Sequence, residues 1–322
     1  MRAPEFWRGA GIWPSLLAPA AGLLRAGARL RRAWVTPYRA GPPVICVGNL
    51  VAGGAGKTPV VLDLARRLGA EGRRVAMLSR GHGGRLRGPH RVDPARDTAG
   101  DVGDEALLLA AVGDTWIARD RAAGARAIEA GGGDLILMDD GFQNPGLAHT
   151  VSVLVIDHDQ GFGNGRLLPA GPLREPLTAG LARADAVIGY GARPNDLPLA
   201  GKPYFAAQLT ARDGARFAGQ RCLAFAGIGR PRKFADTLSA CGAEVISLTA
   251  FADHHPYSAA DARALIAAAR AADAELVTTA KDWVRCPPDL RAASAVLEID
   301  LTWPAGDNIL AWLESRLEGT GP

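Results

Sequence analysis

Residues 44–58, VICVGNLVAGGAGKT, limit the fold more than any other part of the 322-residue chain. An apolar run, 44–47, feeds a segment holding Gly48, Gly53, Gly54 and Gly56, then Lys57 and Thr58, and helix-type sequence follows from Val60. Strand, glycine loop, Lys-Thr and helix are the parts of a phosphate cradle. Glycines let the backbone bend around an anion with its N–H groups turned inward, and the helix N-terminus adds partial positive charge. Lys57 then supplies a point charge for the outer phosphates and Thr58 a hydroxyl for Mg2+. Gly53, Gly54, Ala55, Gly56, Lys57 and Thr58 are the expected nucleotide contacts. The usual motif opens with a glycine where Val51 stands, so the plainer reading is a glycine-rich turn with a capping threonine. The hydrophobic strand before GGxGKT favours the cradle.

A second signal is 135–141, LILMDDG. Four apolar residues of a buried strand end in Asp139 and Asp140, where a P-loop protein places the acidic partner of its Mg2+. Asp139 is expected beside the Thr58 hydroxyl as a metal ligand. Two carboxylates at a strand end are costly without a cation or donors between them. The loop 141–144 then offers polar groups to a substrate.

The remaining punctuation is that of an α/β protein. Strand-like runs at 74–78, 115–118, 151–157, 186–189 and 203–210 alternate with helical runs at 59–68, 106–111 and 122–130. They predict a P-loop NTPase-like parallel or mostly parallel sheet with helices on both faces. Runs at 223–226, 244–248 and 275–278 predict a smaller α/β unit. The expected division is a segment 1–39, a P-loop core 40–205 and a C-terminal unit 206–322 closing the active-site cleft. The 40 glycines and 22 prolines lack period and read as loops. Cys46, Cys222, Cys241 and Cys286 form no CxxC pair or zinc spacing, which fits a reducing compartment and small buried side chains.

Charge is unevenly placed. Of the net +4, residues 1–39 carry +6, seven arginines against Glu5, so the rest is slightly acidic. That is a local device and not a nucleic-acid footprint. Phe6, Trp7, Ile12, Trp13, Leu16, Leu17, Leu23, Leu24 and Leu30 lie among those arginines; Pro14 and Pro19 break the run, leaving a helix expected at about 20–33. No stretch approaches the roughly 18 apolar residues of a bilayer span, and no signal-peptide cleavage pattern follows. Two readings stand: a segment lying in an anionic membrane surface, or a helix packed on the protein's own core.

Several further residues have both a functional and a plain reading. Arg80 and Arg85, in a glycine-rich loop after a strand, could meet phosphates or remain solvated. Asp104 opens a helix, as a cap or as a functional carboxylate. His254-His255 beside Asp253 reads as a polar interdomain loop or as a proton-relay partner for a carboxylate; no zinc-like ligand spacing accompanies it. Arg166, Arg174 and Glu175, in a Gly- and Pro-rich loop, are candidate nucleotide or substrate contacts.

Seven blocks, in order over most of the chain, resemble the tetraacyldisaccharide 4'-kinases of lipid A synthesis: VGNL with GGAGKTP at 47–59, SRG at 79–81, GDE at 103–105, DDGFQ at 139–143, LPAGPLRE at 168–175, FAGIG at 225–229 and FADH at 251–254. The resemblance implies phosphoryl transfer from ATP, with Mg2+, to the 4'-hydroxyl of a tetraacylated glucosamine disaccharide 1-phosphate, forming lipid IVA. It implies peripheral attachment at the cytoplasmic face of a Gram-negative inner membrane, no nucleic acid and no obligate protein partner. It also accounts for Val51, because that family lacks the first glycine of the usual motif. On this reading Lys57 and the loop N–H groups stabilise the transferring phosphoryl group, and Thr58 and Asp139 hold Mg2+. Asp104 is the base, His254 its partner, and Asp140 organises the site. The competing reading is a deviant P-loop ATPase of the partitioning type, acting on a partner at the membrane surface.

Overall fold

The apolar runs pair into two sheets, nine-stranded and four-stranded. The structure, a computed structural model, describes residues 4–9, 11–53, 56–191, 193, 197–199 and 201–318. The strands are β1 (Val44–Gly48), β2 (Val75–Ser79), β3 (His90–Arg91), β4 (Thr115–Ile117), β5 (Leu135–Asp139), β6 (Val151–Asp157), β7 (Ala186–Tyr190), β8 (Tyr204–Ala211), β9 (Arg221–Ala226), β10 (Glu244–Ala250), β11 (Glu275–Thr279), β12 (Ser294–Leu297) and β13 (Ile299–Thr302).

The large sheet has the order β13-β8-β7-β6-β1-β5-β2-β4-β3. Its interior pairs are parallel, and the edge strands β3 and β13 pair antiparallel. β1 is buried along its whole length, as expected of a central parallel strand with helices on both faces. Its side chains alternate. Ile45 and Val47 join one core with Val60, Leu64 and Leu68 of helix α2 (Lys57–Ala70) and with Ile309 and Leu313 of the helix Ile309–Glu318. Val44 and Cys46 join the opposite core with Ala125, Ile128 and Leu181. The chain is thus an α/β protein of the P-loop type, with β1, β5 and β2 ending on one edge.

The small sheet, β10-β9-β11-β12, is all parallel. It is inserted between β8 and β13. The expected boundary at 205/206 falls inside β8, which pairs with β7 through Tyr204–Ala207 and with β13 through residues 208–211. One continuous strand carries both ladders. β13 and the last helix return to the large sheet.

Helix α1 (Ile12–Trp34) is longer than the expected 20–33. Pro14 stands in its first turn, where a missing N–H costs no helical hydrogen bond; Pro19 lies inside it. At about 100° per residue, Ile12, Leu16, Leu23, Leu30 and Trp34 fall within roughly 40° of one another, and the buried Pro14 and Ala21 lie on the opposite side. No helix among the described residues is long and apolar enough to cross a membrane.

Candidate phosphoryl-transfer site

The C-terminal end of β1 opens into the glycine loop, and Gly56 at φ 70° caps α2 from the left-handed region. A side chain there would meet strain and also the Tyr190 ring, 2.7 Å from a Cβ position. The Tyr190 hydroxyl donates to the Gly56 carbonyl at 2.7 Å and closes one side of the loop. Gly53 is described; Gly54 and Ala55 lie outside the described residues. Lys57 and Thr58 occupy the first turn of α2, half-buried.

β5 runs beside β1, with Val47 opposite Asp139. Asp139 is 1 % exposed and its Oδ1 has no hydrogen-bond partner. Burial, followed by the carboxylates of Glu105 and Asp140, raises its pKa to about 7 against the pull of Lys57 and Arg121. Asp140 differs. Burial acts to raise it, but Lys57 and Arg174 outweigh burial and hold it below the usual carboxylate range. The Lys57 Nζ lies 3.6 Å from its Oδ1, and Arg174 Nη1 donates to both carboxylate oxygens at 3.0 and 3.2 Å. Asp140 takes a left-handed backbone, φ 51°, as the strand ends at Asp139.

Asp104 begins the helix Asp104–Ala110 and is 3 % exposed. Its Oδ1 accepts from the Glu105 N–H at 2.9 Å, and its Oδ2 is 2.8 Å from His254 Nδ1. His254 comes from the other sheet, in the loop after β10, also with positive φ, 59°. Burial acts to raise the Asp104 carboxyl; the His254 hydrogen bond and the charges of Lys281, His254 and Arg285 outweigh it, leaving the pKa below its ordinary value. Lys281 Nζ pairs with Glu105 at 2.9 Å. The Glu105 carboxylate in turn raises the Asp139 pKa, so the two clusters are electrostatically linked. Gly103, at φ 90°, would place a Cβ 2.3 Å from the His82 carbonyl, so only glycine lets the 79–85 loop lie against this helix start.

The description Tetraacyldisaccharide-1-P 4'-kinase matches residues 13–318. The chain belongs to the tetraacyldisaccharide 4'-kinase family. It is 52% identical to the "Tetraacyldisaccharide 4'-kinase" of Rhodospirillum centenum, over 99% of this chain and 98% of that protein. It is 53% identical to that of Gluconacetobacter diazotrophicus, over 94% of each. A crystal structure of the "apo" form LpxK from Aquifex aeolicus in complex with ATP superposes with a TM-score of 0.74 at 26% identity, covering 95% of this chain and 99% of that one.

Of the other family-motif residues, Arg174 meets Asp140, while Glu175 is held by Arg183 at 2.6 Å and by Gln143 at 3.1 Å. Arg85 pairs with Asp101 at 2.6 Å, and Arg166 donates to the Pro14 carbonyl of α1 at 3.1 Å. His255 turns to Asp261 at 3.2 Å, so His254 is the histidine on Asp104. Among the described residues no group of three or more His, Cys, Asp and Glu side chains forms a metal cage. Mg2+ keeps several waters and needs one or two carboxylates plus phosphates, so the orphaned Asp139 Oδ1, at the end of the strand beside β1, fits it. Sequence reasoning missed Tyr190, Lys281 and Arg285. Tyr190 ends a parallel strand, which was a usable signal; Lys281 and Arg285 reach the cleft only through the packing of the second sheet.

Proposed function

We propose that the chain transfers the γ-phosphoryl group of ATP to the 4'-hydroxyl of a tetraacylated glucosamine disaccharide 1-phosphate, with Asp104 as the base. The buried Asp104, held by His254 at 2.8 Å and by Arg285 at 3.3 Å, carries this reading. A carboxylate held below its ordinary pKa is ionised at neutral pH and ready to accept a proton, and His254 orients it. Lys57 and the loop N–H groups stabilise charge on the phosphoryl group. Thr58 and Asp139 would hold Mg2+, which supplies charge neutralisation across the outer phosphates. Asp140, fixed by Arg174, keeps Lys57 in place. The four-stranded unit closes the cleft by bringing His254 to Asp104. The partitioning-type ATPase is not favoured by the family match.

Helix α1 supports a membrane-surface location at the cytoplasmic face of the inner membrane. Ile12, Leu16, Leu23, Leu30 and Trp34 form an apolar stripe 52–78% exposed, flanked by the exposed Trp13 and Leu24, that no core of the described residues covers. The reading is tested with γ-labelled ATP, the lipid disaccharide and detergent micelles. Label should appear on the lipid and not as free phosphate, and Lys57→Ala should lower the rate by roughly a hundredfold or more. Label released to water alone would support the ATPase reading instead.

A further inference from the structure

We propose that Arg285 is a positioning residue for phosphoryl transfer: it spans the C-terminal ends of three strands of the small sheet and presents its charge to Asp104. The proposal rests on Asp104 being the base. Arg285 is 6 % exposed at its side chain. Its Nε donates to the Lys281 carbonyl at 3.1 Å, Nη1 to the His255 carbonyl at 2.9 Å, and Nη2 to the Gly227 carbonyl at 2.9 Å and to Asp282 Oδ1 at 2.6 Å. Gly227 follows β9, His255 follows β10, and Lys281 follows β11. One guanidinium therefore ties the loops after β9 and β10 to its own helical turn after β11.

Its own anchor is as well held. Asp282 is fully buried and accepts from the Gly227 N–H and Tyr257 hydroxyl, both at 2.7 Å, and from the Thr279 hydroxyl at 2.6 Å. The Gly227 carbonyl that Arg285 binds also accepts the His254 N–H at 3.0 Å. The same arginine thus fixes the backbone that carries His254 and lies, through Nε, 3.3 Å from the Asp104 oxygen that His254 contacts. A lysine could supply the charge. It could not supply the planar fork.

The charged and titratable groups around Asp104 are His254 and, behind it, Asp253 at 3.9 Å from the far ring nitrogen and His82 against the ring edge; Lys281 and Arg285 from the other side; and Glu105 on its own helix. Burial works against the charged carboxylate, and the cations outweigh it. Removing the Arg285 charge raises the Asp104 pKa, and because the base works ionised, the acidic limb of kcat/KM moves to higher pH.

The experiment records kcat/KM against pH, with thermal midpoints, for the full chain and for Arg285→Met, Arg285→Lys, Tyr257→Phe and Asp104→Asn, using the lipid disaccharide in micelles. Arg285→Met should lose roughly tenfold or more in kcat at little change in KM for ATP, with its acidic limb displaced upward. Arg285→Lys should keep the wild-type limb and show an intermediate kcat. Tyr257→Phe, which loosens the Asp282 anchor and leaves the charge, should lower the midpoint without moving the limb. A limb in Arg285→Met that coincides with wild type, or an equal displacement in Tyr257→Phe, overturns the proposal. If Arg285→Met does not fold, a wild-type kcat in Arg285→Lys overturns it. Near wild-type turnover in Asp104→Asn would instead remove the base reading, whereas an inactive Asp104→Asn with an unmoved Arg285→Met limb leaves that reading standing and sinks this one.

Discussion

Asp139 and Asp140 are neighbours in sequence with opposite electrostatic environments. Asp140 has Lys57 and Arg174 on it, and Asp139 has burial, an orphaned oxygen and two other carboxylates. A folded pKa raised to about 7 means that the Asp139 contribution to stability is full below the ordinary carboxylate pKa and is lost as pH rises through 7. Without nucleotide or metal, Asp139→Asn should therefore melt higher than wild type at pH 8, by roughly 3 °C or about 2 kcal/mol, and the gap should narrow at pH 5. Its transferase activity should fall. Thermal melts at the two pH values check this; parallel pH dependence in both proteins would refute it. The pairing of two carboxylates at a strand end was legible in the sequence, because burial makes that pattern costly. Their different partners were not, since Arg174 lies 34 residues away from Asp140 and is brought there by folding.

At the scale of elements, α1 was legible in composition and not in length. Two prolines read as breaks, yet one sits where a helix needs no N–H, and the exposed stripe continues through both. Leu16→Glu with Leu23→Glu should cut partitioning onto anionic vesicles by tenfold or more, since each loses apolar burial of about 1.5–3 kcal/mol. The thermal midpoint in detergent should hardly move, because both side chains are exposed, at 63% and 76%. Unchanged partitioning with a lowered midpoint would show that α1 packs on the protein instead. The central strands β1, β5 and β6 were legible from continuous apolar runs. β12 and β13 were not: each is four residues long, and Glu298 alone separates them as the chain passes from one sheet to the other.

In the whole molecule the two sheets are joined by hydrogen bonds and ion pairs between charged side chains. His254 and Arg285 meet Asp104, Lys281 meets Glu105, and Arg230 and Lys233 meet Asp157, which is 4% exposed at the end of β6. For Asp157, burial acts to raise the pKa and the Arg230 hydrogen bond and charge, with Lys233, overcome it. Lowered carboxyls stabilise above their unfolded pKa and release that stability as pH falls through the folded one, so acid should separate the sheets before it melts either core. Hydrogen exchange should show early loss of protection in the loops after β9, β10 and β11 at low pH, with β1 and β5 still protected; simultaneous loss everywhere would contradict this. The α/β architecture and the glycine loop could be read from local pattern, whereas the meeting of Asp104 with His254, 150 residues apart, depends on tertiary packing and was expected only through the family resemblance. That meeting is the centre of the account. Its most direct test is label transfer from γ-labelled ATP to the lipid disaccharide by Asp104→Asn at neutral pH, with ATP binding measured alongside. A loss of roughly 10²–10⁴ in kcat with ATP binding retained is expected; near wild-type transfer would contradict Asp104 as the base.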